Sequence, residues 1–400
     1  MASIIEKFDD DDREAAYYLL ENFWVLRERQ PEVYQLIRDR EQKLRNYFSD
    51  KCGFQFILNR QFAKLEKIPD KPESWMGIME FSNCRDYGLL CCLLAFLEEK
   101  SVDDQFLLSE LCEALLSSYP AEDDTHETVI HWESYECRKS LVRVLNMAVE
   151  YGIVSKVDGD IAGFSSDSHS EALFEVTMMA RYFLRTYPKD LYQYGSLEEI
   201  LKVDGEDELT GRSRKQRVYK QLFLTPGFER QEAKEEDFLY LRNMRNRLRE
   251  DIEDHTWLRF ELYKHVALLT VPAEKRFQMT TFPDRTGMSA IILHFAAAVR
   301  EYVNGVENRQ SEDVLALTPI EFDRILDGCR KATGSGWTKE YRDMSQSKLA
   351  KELVMRLTEW KMARRDKELD LIVISPLLVR TIGAYPADYR QTGTEMTSNE

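Results

Sequence analysis

Glycine and proline are scarce in this sequence, with 17 and 11 among 400 residues. Long β-sandwiches and glycine-rich phosphate loops draw on both, so neither is expected. Seven cysteines are present, but none stands in CxxC spacing. Cys91 and Cys92 are adjacent in an apolar helix, where core packing is the expected role, not a disulfide or structural metal. Long hydrophobic runs are missing as well. The longest, Tyr87 to Leu97 and Ile291 to Val299, fall short of the ~20 residues that a spanning helix needs. The opening segment is acidic, unlike a secretory leader. The expectation is a reduced, cytoplasmic protein with no membrane segment.

Catalytic motifs are missing too. No GxxxxGK, GxSxG, HExxH or HxE…CxxC occurs. The six histidines (His126, His131, His169, His255, His265 and His294) show no i, i+4 pairing. Gly334-Ser335-Gly336 is too short to cradle a phosphate and reads as a joint between two helices. No enzymatic activity, cofactor or metal is therefore expected. A nuclease site drawn from distant carboxylates would need a buried cluster.

What is present is apolar material and acid. Hydrophobic residues make up 43% of the chain and aromatic residues 11%, enough for two or three domains with sizeable cores. Lys plus Arg is 55 against 71 Asp plus Glu, a formal charge of −16. That balance argues against a free-standing protein that binds nucleic acid over its whole surface. A local basic groove stays open, because salt screens distant charge over ~8–10 Å. Much of the acid is segregated, as in Asp9 to Asp12 and in Glu206, Asp207 and Glu208.

The sequence is organised by repetition: four times, an amphipathic helix runs into two short strand-like segments. In the second instance Asp86 to Glu99 is apolar on nearly every side and reads as a buried helix. Leu108, Leu111, Cys112 and Leu115 follow at i, i+3, i+4, i+7. A third helix, about Ser134 to Tyr151, carries Leu141, Val144, Leu145 and Ala148 on one face and stops at Gly152. Ile153 to Val157 alternates as a strand, Asp158-Gly159 reads as a tight turn, and Ala172 to Val176 supplies the return strand. Three helices and a hairpin make a winged-helix plan. Leu44 to Pro69 and Leu248 to Pro272 share one layout, offset by one residue when aligned at their prolines. The last instance has Leu349, Leu353, Leu357 and Trp360 on a stripe, with Leu369–Ile374 and Leu378–Ile382 expected to pair across Ser375-Pro376. The expected fold is mainly α with short β-hairpins (α+β), built as tandem winged-helix domains. Its expected divisions are an N-terminal region 1–80, a winged-helix domain 81–201, a linker 202–217, a winged-helix-like domain 218–310, a C-terminal winged-helix domain 311–390 and a tail 391–400.

Two basic groups stand out as candidate nucleic-acid contacts. Arg212, Arg214, Lys215, Arg217 and Lys220 put five positive charges into nine residues. The helix beyond them carries Arg242, Arg245, Arg247 and Arg249, of which Arg242, Arg245 and Arg249 share one face at i, i+3, i+7. Such a row could follow a phosphate backbone, or form a solvated face paired with Glu250, Asp251 and Glu253. In the second unit Lys139, Arg143 and Asn146 lie opposite the core stripe, with Glu136 and Glu150 diluting them. Backbone contact, or none, is expected there before base readout.

These segments resemble the large MukE-like, or kite-type, subunit of the bacterial Wadjet plasmid-defence systems. The resemblance runs over nearly the whole chain. It rests on Arg13-Glu14-Ala15-Ala16, Asn46-Tyr47-Phe48 leading into Gly53-Phe54-Gln55-Phe56, and Leu65-Glu66-Lys67-Ile68-Pro69. It continues through Tyr87-Gly88-Leu89-Leu90-Cys91-Cys92-Leu93, Arg138-Lys139-Ser140-Leu141-Val142-Arg143-Val144-Leu145, Glu171-Ala172-Leu173-Phe174-Glu175-Val176 and Ile374-Ser375-Pro376-Leu377-Leu378. None of these is a catalytic motif. The resemblance implies a dimeric tandem winged-helix protein that clasps a kleisin (MukF-like), which bridges the heads of an SMC-like (MukB-like) ATPase. A topoisomerase-like nuclease subunit would cut closed circular plasmid DNA, and double-stranded DNA would lie within the complex. The strong acidity departs from what DNA contact favours. A stand-alone winged-helix regulator is the alternative; a metal-dependent nuclease is a third reading, for which no ligands can be named.

Overall fold

Among the described residues, three helices and a three-stranded antiparallel sheet recur four times in one order, with a short extra helix in the fourth copy. The computed structural model describes residues 6–120, 130–184, 193–196, 199–200, 211–276, 278–305 and 315–384. The first copy runs α1 (Asp10–Glu21), β1 (Val25–Leu26), α2 (Pro31–Asp39), α3 (Glu41–Cys52), β2 (Gln55–Leu58) and β3 (Phe62–Glu66). The second runs α4 (Cys84–Glu98), β4 (Gln105–Leu107), α5 (Leu108–Ser118), α6 (Tyr135–Glu150), β5 (Val154–Gly159) and β6 (Ala172–Val176). The third runs α7 (Gly211–Leu224), β7 (Phe228–Glu229), α8 (Glu235–Asn243), α9 (Arg245–His255), β8 (Arg259–Leu262) and β9 (Val266–Thr270). The fourth runs α10 (Gly287–Gly305), β10 (Leu315–Leu317), α11 (Pro319–Thr333), a short α12 (Lys339–Asp343), α13 (Gln346–Glu359), β11 (Ala363–Asp366) and β12 (Leu371–Ile374). Every sheet sets its first strand beside its third, with the second on the far side: β1-β3-β2, β4-β6-β5, β7-β9-β8 and β10-β12-β11. The architecture is thus mainly helical, with small antiparallel sheets.

Local chemistry fixes the element ends. The acidic run at the start is a cap: the Asp9 carboxylate accepts the Asp12 amide at 2.8 Å, and the Asp12 carboxylate accepts the Asp9 amide at 3.1 Å. α3 ends at Gly53 and the second copy's third helix at Gly152, with φ of 68° and 73°, left-handed positions that glycine takes without a Cβ penalty.

The first and third copies repeat nearly residue for residue. β2 and β8 begin 204 residues apart (55 and 259), as do β3 and β9 (62 and 266) and α3 and α9 (41 and 245). Their hairpin registers match: Phe56 faces Leu65 as Phe260 faces Leu269, and Leu58 faces Ala63 as Leu262 faces Ala267. Even the break between second and third helices is shared, at Arg40 (φ −114°, ψ 12°) and Met244 (φ −102°, ψ 11°).

Two compact units result. Residues 1–71 and 201–400 form one, and Pro72–Ile200, holding the second copy, form the other. In the larger unit the first and third copies share one core: Leu44, Phe48 and Phe56 belong to the same cluster as Leu248, Ile252 and Phe260. α3 packs on α7, and the other side closes where the Phe8 amide and the Arg13 guanidinium donate to the Asp254 carbonyl on α9. The fourth copy has its own core around Phe295, Phe322, Leu353 and Leu357.

Several expectations need correction. The last hairpin pairs β11 with β12, Arg364 opposite Val373, while residues 378–380 form a 3₁₀ turn whose Leu378 enters the core. The charged Ala363–Asp366 hides its strand character because Arg364 and Arg365 are both exposed, so no alternation marks it. Asp158-Gly159 is not a turn but the end of β5, past a bulge. A Cβ on Gly159 would meet the Glu171 carbonyl at 2.4 Å, so the position needs glycine for close backbone approach. α4 is not buried all round: Tyr87, Cys91 and Ala95 are exposed, so Cys91 is not a core residue, although Cys92 is. The 202–217 stretch is helical from Gly211 onward rather than a linker, and its earlier residues, like the tail 391–400, lie outside the described residues. Gly334–Gly336 does form a short 3₁₀ turn after α11, before α12.

One carboxylate locks the fourth copy. Asp284 accepts from the Ser289 and Thr286 hydroxyls, each at 2.6 Å, and from the Arg356 guanidinium at 2.5 Å. Burial pushes its pKa up, but these bonds outweigh it and hold the carboxyl at about 2. A depressed carboxylate stabilises the fold above its unfolded pKa of ~3.9 and loses that contribution as pH falls through the folded value. Asp284→Ala should cost about 2 kcal/mol near neutrality, by the linkage of that shift. In urea titrations the gap between wild type and variant should close between about pH 4 and pH 2; a gap constant across that window would remove the carboxylate from this role.

Candidate nucleic-acid interface

The ten nominated basic residues divide sharply by what surrounds them. Arg212 lies in the first turn of α7, and its side chain is outside the described residues. The four that follow it on α7 are held by carboxylates. Arg217 grips Asp237 with Nε at 3.1 Å and Nη2 at 2.9 Å, and also reaches Glu236 at 3.1 Å. Arg214 meets Glu236 at 3.1 Å. Lys215 bonds Asp50 on α3 at 2.8 Å, and the buried Lys220 bonds Asp70 at 3.1 Å. The Asp237 bond raises the Arg217 pKa further. This dense cluster therefore joins α7 to the acidic first turn of α8 and to the first copy. It is not a free phosphate-binding row.

Arg143 is also engaged. Its Nε and Nη2 bind the two oxygens of Asp86 at 3.0 and 2.8 Å, and Asp86 is fully buried. The groove-facing role expected for Arg143 is thus replaced by a buried ion pair. Lys139 is exposed, with its ammonium 5.8 Å from the Tyr135 ring. It sits on a strongly acidic copy: Cys84 to Val176 holds 19 Asp and Glu against 6 Lys and Arg, a net −13. A polyanion would meet a repulsive field there.

The third copy differs. Gly211 to Thr270 carries 13 Lys and Arg against 10 Asp and Glu, a net +3. Arg242, Arg245, Arg247 and Arg249 are all exposed, and among the described residues none has a carboxylate within ion-pair distance. Asp251, once a candidate partner for them, is taken by Lys51 at 2.5 Å and by the Tyr219 hydroxyl at 2.5 Å. The break at Met244, however, separates Arg242 on the last turn of α8 from Arg245 and Arg249 on α9. The single i, i+3, i+7 face does not exist; Arg245 and Arg249, one turn apart, do share one.

Two histidines, His255 and His294, and five cysteines (Cys52, Cys92, Cys112, Cys137 and Cys329) are buried. His255 stacks on Tyr47 at 4.7 Å, with Nδ1 2.7 Å from the Asp251 carbonyl. His294 is buried beside Trp337 Nε1, and burial lowers its pKa. Among the described residues no group of three His, Cys, Asp or Glu is placed to hold a metal, and no helix is long and apolar enough to cross a membrane. Sequence reading also missed Lys348 and Lys351, exposed on the face of α13 opposite its Leu349, Leu353 and Leu357 stripe. The stripe itself was the signal for them.

Residues 16–384 match the family described as "Protein of unknown function (DUF2398)". No curated protein and no solved structure matches the chain.

Proposed function

We propose, from the premise that the chain belongs to the DUF2398 family of proteins of unknown function, that it is a non-catalytic kite-type subunit of a Wadjet-like SMC complex. In this reading each helix–strand–helix–helix–hairpin copy is a winged-helix domain, with its third helix and its hairpin as the parts that touch DNA. The observation that carries it is the recurrence of one topology four times, with the same strand order in every sheet. Tandem winged helices are what the MukE-like resemblance implies. The subunit would dimerise, clasp a kleisin and help hold double-stranded DNA, leaving ATP hydrolysis to an SMC-like ATPase and cleavage to a topoisomerase-like nuclease subunit. The segregated charge supports this division: the −13 copy suits a basic protein partner, and the +3 copy suits DNA.

Affinity capture of the tagged chain from its native host tests the reading. A kleisin and a long coiled-coil ATPase should co-purify with it. Recovery of the chain alone, bound to one two-fold operator, would instead establish a stand-alone regulator. The purified chain should also leave ATP and supercoiled plasmid unchanged in Mg²⁺ or Mn²⁺. Turnover that survives further purification overturns the non-catalytic part.

A further inference from the structure

The fourth copy holds a basic surface that no earlier step used. Across α13 and the β11–β12 hairpin, residues 346–374, there are 7 Lys and Arg against 5 Asp and Glu, a local +2 within a chain of −16. Four of the seven have carboxylate partners that tie them to the fold or hold them only weakly. Arg356 binds Asp284 and Glu359, Lys361 binds Glu232 at 2.8 Å, the exposed Arg365 meets the exposed Asp370 at 2.9 Å, and Lys348 lies 3.8 Å from the half-buried Glu352. A pair as exposed as Arg365–Asp370, or as long as Lys348–Glu352, is worth little and yields to a stronger anion.

Two elements in direct succession present the unpaired and weakly paired charge. On α13 the core takes Leu349, Leu353 and Leu357, so Lys348, Lys351 and Met355 at i, i+3, i+7 point the opposite way, all exposed. α13 packs on β11, and the β11–β12 hairpin exposes Arg364, Arg365 and Lys367. Its tip is rigidly built: the Asp366 carboxylate accepts the Glu368 and Leu369 amides at 3.0 and 3.1 Å, and Asp370 takes a left-handed φ of 48°. Leu369 is left 69% exposed at that tip. A cationic helix face, followed by a stiff hairpin that presents Arg364 and Lys367, fits two adjacent stretches of a duplex backbone.

We propose that the outer face of α13 and the β11–β12 hairpin form a second polyanion surface, distinct from Arg245 and Arg249, that takes the phosphate backbone of double-stranded nucleic acid. The choice of a duplex rests on the winged-helix reading above. The test uses the full chain and a fluorescein-labelled DNA duplex of about 30 base pairs, titrated by anisotropy between about 50 and 200 mM salt. Lys348→Glu/Lys351→Glu/Lys367→Glu should weaken binding about tenfold or more at the low-salt end. It should also flatten the log–log salt slope by about 2 to 3, at about 0.9 per phosphate lost. The matching Lys→Arg triple should retain wild-type binding. All three side chains are exposed, and an unchanged thermal transition will show that the fold is intact. Unaltered affinity and slope in the Glu triple overturn the proposal. So does unaltered duplex binding accompanied by altered sedimentation, which would assign the face to a contact with the acidic copy of a second chain. Capture of the kleisin is read separately: its absence sinks the kite reading whatever the titration gives, and an unmoved titration sinks this surface whatever is captured.

Discussion

Arg143→Met should destabilise the second copy by about 3–5 kcal/mol, the cost of leaving a buried charge without its partner. Asp86 is fully buried on α4 and accepts from Arg143 twice and from the Ser82 amide at 2.8 Å. Burial alone would raise its pKa; the bonds from Arg143, the Ser82 amide and Ser140 outweigh burial and lower it. The sign of the pH dependence follows. In wild type the carboxylate stabilises the fold above its unfolded pKa of ~3.9 and loses that contribution as pH falls through the lower folded value. In the variant the orphaned carboxylate gains by taking a proton, so the gap to wild type should narrow on acidification. Replacing both partners, as Arg143→Met/Asp86→Leu, should recover most of the loss, because an apolar pair leaves no charge stranded. Urea titration at neutral and acidic pH measures all three proteins. Wild-type stability in Arg143→Met together with weakened DNA binding would return Arg143 to the nucleic-acid surface.

The second large effect concerns Arg242, Arg245 and Arg249. If the proposed complex forms, changing all three to Glu in it should weaken DNA binding about a hundredfold or more at physiological salt, through loss of about three phosphate contacts. The salt slope should fall by about 2 to 3. Because Met244 divides the helix, the three should not contribute equally. Arg245→Glu/Arg249→Glu should account for most of the loss and Arg242→Glu for little. If the slope is unmoved but the kleisin no longer co-purifies, these arginines belong to a protein interface, and the DNA assignment goes.

Sequence carried the periodic part of this fold well. Leu108, Leu111, Cys112 and Leu115 on α5, and Leu141, Val144, Leu145 and Ala148 on α6, are buried as their spacing requires. The duplication was visible at Pro69 and Pro272 because a hairpin in one register keeps its length. The first strands escaped notice. β1 and β7 are two residues each, too short for alternation to register. The break at Met244 was hidden by side chains that continue a helical period across it, and only the matching break at Arg40 exposes it. The candidate site was the least legible part. Lys215 meets Asp50 and Lys220 meets Asp70 across spans of 165 and 150 residues, and local charge density says nothing about such partners. Exposure separates Arg245 from Arg217, and exposure belongs to tertiary packing.

The shared core of the first and third copies also orders events during synthesis. Phe8, Tyr47 and Phe48 pack in one cluster with Tyr219, Leu248 and Ile252, which lie about two hundred residues later. At roughly 5–20 residues per second, the ribosome takes about 10–40 s to deliver the second half of that core. Meanwhile the acidic second copy, a compact unit with contacts of its own, can close while its predecessor is still half-formed on the same nascent chain. The high charge of that intervening copy keeps it strongly hydrated on the nascent chain, which opposes its own association with other chains.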